Sequence, residues 1–141
     1  MAITRRFRFQ YAVKFICTSN IPGTSQQTPS FLAGSYATAV NIHNPNPRPV
    51  RFRMKLAMAT STEVDPPQIT DFLNDTLKPD QATRVDCSRV KDFGPSPIHG
   101  FEGFLVIESA QSLDVVAVYT AGRTEGVESI DVERAHERVL R

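Results

Sequence analysis

The sequence predicts an all-β protein, a single antiparallel β-sandwich of about seven strands with one short helical turn. Three observations carry that prediction. Apolar and polar residues alternate with period two over several stretches, most cleanly in VRFRMKLAM. Pro and Gly recur at short intervals between those stretches. No strand is followed by the long helical pattern that a parallel βαβ unit needs.

The first strand is expected over residues 7–17. Phe7, Phe9, Tyr11, Val13, Phe15 and Cys17 share one parity, and Arg6, Arg8, Gln10, Ala12 and Lys14 the other. Its length implies that it bends or changes sheets partway. Residues 20–35, with Pro22, Gly23, Pro29 and Gly34, form a long loop of the kind that crosses between sheets. The next strand, residues 36–43, places Tyr36, Thr38, Val40 and Ile42 opposite Ala37, Ala39, Asn41 and His43. Alternate prolines in NPNPRP forbid helix at 44–49. Val50, Phe52, Met54, Leu56 and Met58 then face away from Arg51, Arg53 and Lys55. These two strands are expected to pair as a hairpin.

Ile69, Phe72 and Leu73, at i, i+3 and i+4, predict the helical turn within 68–77. A turn at 77–81, a short strand at 82–87 and a proline-bearing loop at 88–100 follow. Residues 104–107 and 113–119 are apolar on both parities and read as a central buried hairpin. One face of it meets the core, and the other needs a loop, a helix or another subunit. Residues 127–133 fit an edge strand after a polar turn at 121–126. The domain is placed at 1–134, and the charged residues 135–141 form a tail, helical or frayed.

At 141 residues the chain is long enough for one domain with a core of its own. Apolar residues at 40 % and charged residues at 22 % fit a folded chain. The absence of Trp excludes a Trp-centred immunoglobulin core. A net charge of +1 gives no global attraction to nucleic acid or membrane. No run reaches the roughly 18 apolar residues of a membrane span, so no membrane insertion is expected. The first residues carry early arginines but keep Lys14 inside an alternating pattern, unlike a signal peptide. A cytoplasmic location is the expectation. Cys17 and Cys87 form no CxxC and no dense framework. They read as small buried residues, with a disulfide open only if their strands lie close.

Candidate chemistry is sparse. His43, His99, His136, Cys17 and Cys87 match no metal-binding or nucleophile spacing, so no metal, cofactor or catalytic residue is expected. Glu108 and Asp114 are carboxylates at the ends of the central hairpin and read as solvated. The basic face of Arg51, Arg53 and Lys55, with Arg6, Arg8 and Lys14 on another strand, would become strongly positive if the two strands shared a sheet. The neighbouring aromatics have the opposite parity, which argues against nucleic acid. Asn41, His43, Asn44 and Glu108 are the candidate residues for a small polar ligand. The two asparagines and His43 are equally suited to capping the turn.

The stretches YAVKF with Cys17 close behind, NIHNP, VRFRMKLA, KPDQA with VDC, GFLVIES, LDVVAVYTA and SIDVE together resemble a family of small bacterial β-sandwich proteins with no assigned activity. More distantly, the order of elements is similar to that of the sensory rhodopsin transducer family. The shared features are a long early loop, a strand before an asparagine-rich turn, a basic-faced strand and a late apolar hairpin. That resemblance implies a cytoplasmic β-sandwich that forms tetramers and relays signals by binding. Residues and resemblance therefore lead to one expectation, a non-enzymatic homo-oligomer that binds a protein partner in signalling or scaffolding. A ligand-binding protein or a filament subunit is the alternative. Leu105, Ile107, Val116 and Val118 are the candidate interface residues, with the outward parity left open.

Overall fold

The computed structural model describes residues 6–94 and 100–141. It is all-β, as the alternation predicts. The strands are β1 (Phe9–Asn20), β2 (Gly34–His43), β3 (Val50–Met58), β4 (Leu73–Leu77), β5 (Ala82–Asp86), β6 (Gly100–Ser109), β7 (Asp114–Arg123), β8 (Gly126–Arg134) and β9 (Glu137–Val139). All pairings among them are antiparallel. Hydrogen bonding runs in the order β4-β3-β6-β1-β2-β7-β8, with β5 on β2 and β9 on β1.

The change of sheets expected partway along β1 is what joins the halves of the sandwich. Phe9–Thr18 pairs with β6, whereas Thr18–Asn20 pairs with β2. On the edge of β1 opposite β6, between Tyr11 and Thr18, side chains of β2 and β7 take the place of a strand. Thr38 Oγ1 accepts from Ile16 N at 2.8 Å and lies 2.9 Å from Ile16 O. Tyr119 donates to Lys14 O at 2.7 Å. Buried polar backbone thus keeps its partners where no strand lies alongside. One core fills the space between layers, drawing Tyr11 and Phe15 from β1, Ile42 from β2, Phe52 and Met54 from β3, and Val115 from β7.

Five corrections follow. First, residues 104–107 and 113–119 do not form a hairpin. β6 lies between β1 and β3, while β7 lies between β2 and β8. The short link Ala110–Leu113 carries the chain from one layer to the other. Second, β2 and β3 do not pair; the proline link at 44–49 also changes layers, and β3 pairs with β4 and β6. Third, 68–77 is not helical. Ile69 bridges Ala57, and β4 pairs with β3. The helical turn is instead a 3-10 helix, Cys87–Phe93, capped by Asp86, which takes the last residue of the strand expected at 82–87 and the first part of the loop expected at 88–100. Residues 95–99 of that loop, His99 among them, lie outside the described residues. Fourth, the tail is neither helical nor frayed: β9 pairs with Phe9–Tyr11 and Leu140 N donates to Arg8 O at 2.7 Å. Tyr11 Oη, 2.6 Å from Glu137 Oε1, fixes it further. Burial and this carboxylate push the Tyr11 phenol up to about 12, so it stays a neutral donor.

The fifth correction concerns the cysteines, which are joined as a disulfide rather than buried as thiols, with Cα atoms 5.6 Å apart. The bond ties β1 to the start of the 3-10 helix.

Candidate interaction surfaces

Register decides what each strand shows outside. Leu105 and Ile107 are fully buried, so the expectation that they form an interface is wrong; both belong to the core. Val116 and Val118 have the opposite fate. Their neighbours Val115 and Ala117 face the core, so the valines point outward and are half-buried. Val118 pairs with Ala39 on β2 and with Val132 on β8, and Thr120 with Ala37 and Ile130.

Strand β8 supplies three of the nine exposed large apolar side chains among the described residues. All nine of its residues are exposed. Strict alternation would put Val127 on the face opposite Ile130 and Val132. An irregularity next to Gly122 pairs Ala121 with Ser129 but Gly122 with Val127, leaving Glu128 as the extra residue. The three apolar residues therefore share one side, at 69 %, 65 % and 60 % exposure. The opposite side of β8 carries Asp131 and Glu133, also exposed, because no described element covers it. Burial and these two carboxylates push the neighbouring Tyr119 phenol up to about 12.

The basic stripes do share a layer, with β6 between β1 and β3. Aromatics join them, contrary to the parity argument. Phe72 lies under Arg53 at 3.9 Å and Lys55 at 4.6 Å, Phe7 lies 4.5 Å from Arg53, and Phe104 lies 5.4 Å from Lys14. Phe7 precedes β1, which starts at Phe9, so the parity expected for it from the alternation does not hold, and Phe72 belongs to a segment without strand alternation. Glu108 holds Arg53 through two hydrogen bonds, at 2.6 and 3.0 Å, and takes Gln10 Nε2 at 3.0 Å. Lys14 pairs with Glu102. A groove of about 570 Å³ opens beside this cluster, lined by Arg6, Phe7, Arg53, Asn74, Glu108 and Leu140.

The residues proposed for a small polar ligand do not converge. Glu108 is on the basic face. Asn41 is exposed beside Val116. Asn44 is fully buried, and it caps the turn: its Nδ2 donates to the carbonyls of Arg48, Leu77 and Lys78, and its Oδ1 accepts from Asn46. His43 lies between two carboxylates, with Nδ1 2.8 Å from Asp114 and Nε2 2.8 Å from Asp80. Hydrogen bonds to Asp114, then Asp80, raise its pKa above the ordinary imidazole value. Only the imidazolium donates from both nitrogens.

A group whose pKa is raised by folding stabilises the fold fully below its unfolded value and loses that contribution as pH rises through the folded value. The melting temperature is therefore expected to fall as pH rises from about 6.5, the ordinary imidazole value, through the raised folded value, and His43→Gln is expected to flatten that slope. Scanning fluorimetry across the range checks this; parallel slopes for both proteins would remove the assignment to His43.

No family model and no curated protein matches the chain. Among solved structures it is similar to Thermotoga maritima 1070. That likeness has a TM-score of 0.59 at 8 % sequence identity and covers 94 % of this chain and 96 % of the other. The two share a fold. Within the described residues no helix is long and apolar enough to cross a membrane.

Proposed function

We propose that this chain is a non-enzymatic β-sandwich that works as a homo-oligomer and serves as a protein-binding module in signal relay or scaffolding. The observation that carries the reading is the outer side of β7 and β8. Val118, Ile130, Val132 and Val127 form a contiguous apolar strip at the end of a sheet, and among the described residues β8 has a single strand neighbour. Exposed apolar surface of this continuity marks interaction sites in soluble proteins. The resemblance to the sensory rhodopsin transducer family supports the same reading, since its members act as oligomers through binding.

Replacing Val118 or Val132 by Asp is expected to shift the protein to monomer, weakening association at least about tenfold, because each change buries an unpaired carboxylate in the contact. Light scattering over a dilution series measures it. A wild-type protein that is monomeric at about 100 μM, weaker than a specific contact of this size gives, overturns the proposal.

On location, the Cys17–Cys87 bond favours an oxidising compartment over the expected cytoplasm, since reduced thiols are the rule in the cytosol. Trapping thiols with an alkylating agent at cell lysis, followed by mass measurement, decides between them.

A further inference from the structure

Two sets of charges lack ion pairs within the described residues, and they have opposite sign. On β8, Asp131 and Glu133 carry no ion pair, whereas Glu128 is held by Arg123 at 3.6 Å. On the β4–β3–β6–β1 layer, Arg53 and Lys14 are neutralised by Glu108 and Glu102. Arg6, Arg8, Arg51 and Lys55 have no carboxylate partner there; three of them lie over aromatic rings. The acids and these cations sit on different layers, so one chain does not bring them together.

Shape matches charge. Among the described residues β8 has a single strand neighbour and is open on both flanks, apolar on one and acidic on the other. The cationic layer has the groove beside Arg53, with Phe7 and Leu140 in its lining, and a second hollow of about 430 Å³ that shares Arg6, Phe7 and Asn74 and adds Arg51. A strand entering edge-on would set its acidic flank against arginine and its apolar flank against half-buried Leu140, with largely buried Phe7 contributing only to the groove lining.

We infer that the acidic edge strand β8 of one copy seats on the cationic outer face of the β4–β3–β6–β1 layer of a second copy, in a head-to-tail contact. This rests on the self-association proposed above and names its partner surface. The two surfaces are different, so a pair in contact leaves one of each free, on different copies, and the contact repeats into a closed ring or an open filament. The ion pairs steer and orient the contact, and salt weakens it.

The test exchanges the charges. One variant carries Arg51→Glu with Lys55→Glu, and the other carries Asp131→Lys with Glu133→Lys. Circular dichroism establishes that both are folded, as exposed or half-buried surface changes should be. In analytical ultracentrifugation at about 50 mM salt, where the Debye length still spans a contact, wild-type protein is expected to associate. Each variant alone should associate at least about tenfold more weakly, and an equimolar mixture should regain association. Should a folded variant alone associate like wild type, or the mixture stay dissociated, the head-to-tail contact is refuted. If the reversals have no effect but Val118→Asp dissociates the protein, association stands and runs through the apolar strip alone. A wild-type protein that stays monomeric removes both readings.

Discussion

Replacing Cys17 and Cys87 together by serine is expected to lower the free energy of unfolding by about 4 kcal/mol. The two residues are 70 apart in sequence, so the bond closes a long loop in the unfolded chain and removes much of its freedom. The folded side loses a contact as well. Cys17 packs against the core, and the bond fixes the 3-10 helix, whose Phe93 is buried in that core. Urea denaturation of the double variant, and of wild type with and without reductant, measures the loss. The reduced wild type and the variant should agree. A midpoint unchanged by reduction would show that the bond contributes nothing to stability.

Asn44→Ala is expected to cost about 3 kcal/mol, near the upper end for single substitutions. The side chain is fully buried, donates to three carbonyls and accepts from Asn46. Alanine leaves those carbonyls without that donor at the point where the proline link, the end of β4 and the turn after it meet. Asn44→Asp should cost more, because a carboxylate would face three carbonyl oxygens. The prediction separates structure from binding: if Asn44 served a ligand instead, alanine would leave the unfolding midpoint near the wild-type value.

Much of the fold is legible in the sequence. The alternating segments that became β1, β2, β3 and β8 announce their strands, and buried Thr38, Val40 and Ile42 or Phe52, Met54 and Leu56 follow their parity. What alternation leaves undetermined is the partner. Leu105 and Val106, or Val115 and Val116, show only that both faces of a strand are apolar. They do not distinguish a hairpin from two strands in separate layers joined by a short link. The spacing of Ile69, Phe72 and Leu73 likewise fits a helix, yet it arises from an irregular extended segment. There Ile69 bridges Ala57, Phe72 turns out under Arg53 and Lys55, and Leu73 pairs with Met54.

The candidate surfaces divide in the same way. The basic stripe is readable because its residues belong to one strand. The strip on β7 and β8 is only half readable. Val116 and Val118 are visible, but the irregularity that brings Val127 alongside Ile130 and Val132 depends on pairing. The disulfide and the aromatic rings under the cations depend on contacts between segments far apart in sequence.

The pairing of β1 bears on the speed of folding. Its strand neighbours are β6, β2 and β9, and Phe9 lies opposite both Ser109 and Val139. Most of β1 is thus paired with segments far along the chain, and the entropy of closing those long loops is lost before the contacts form. Folding should then be slow, as pairing over long sequence separations generally is.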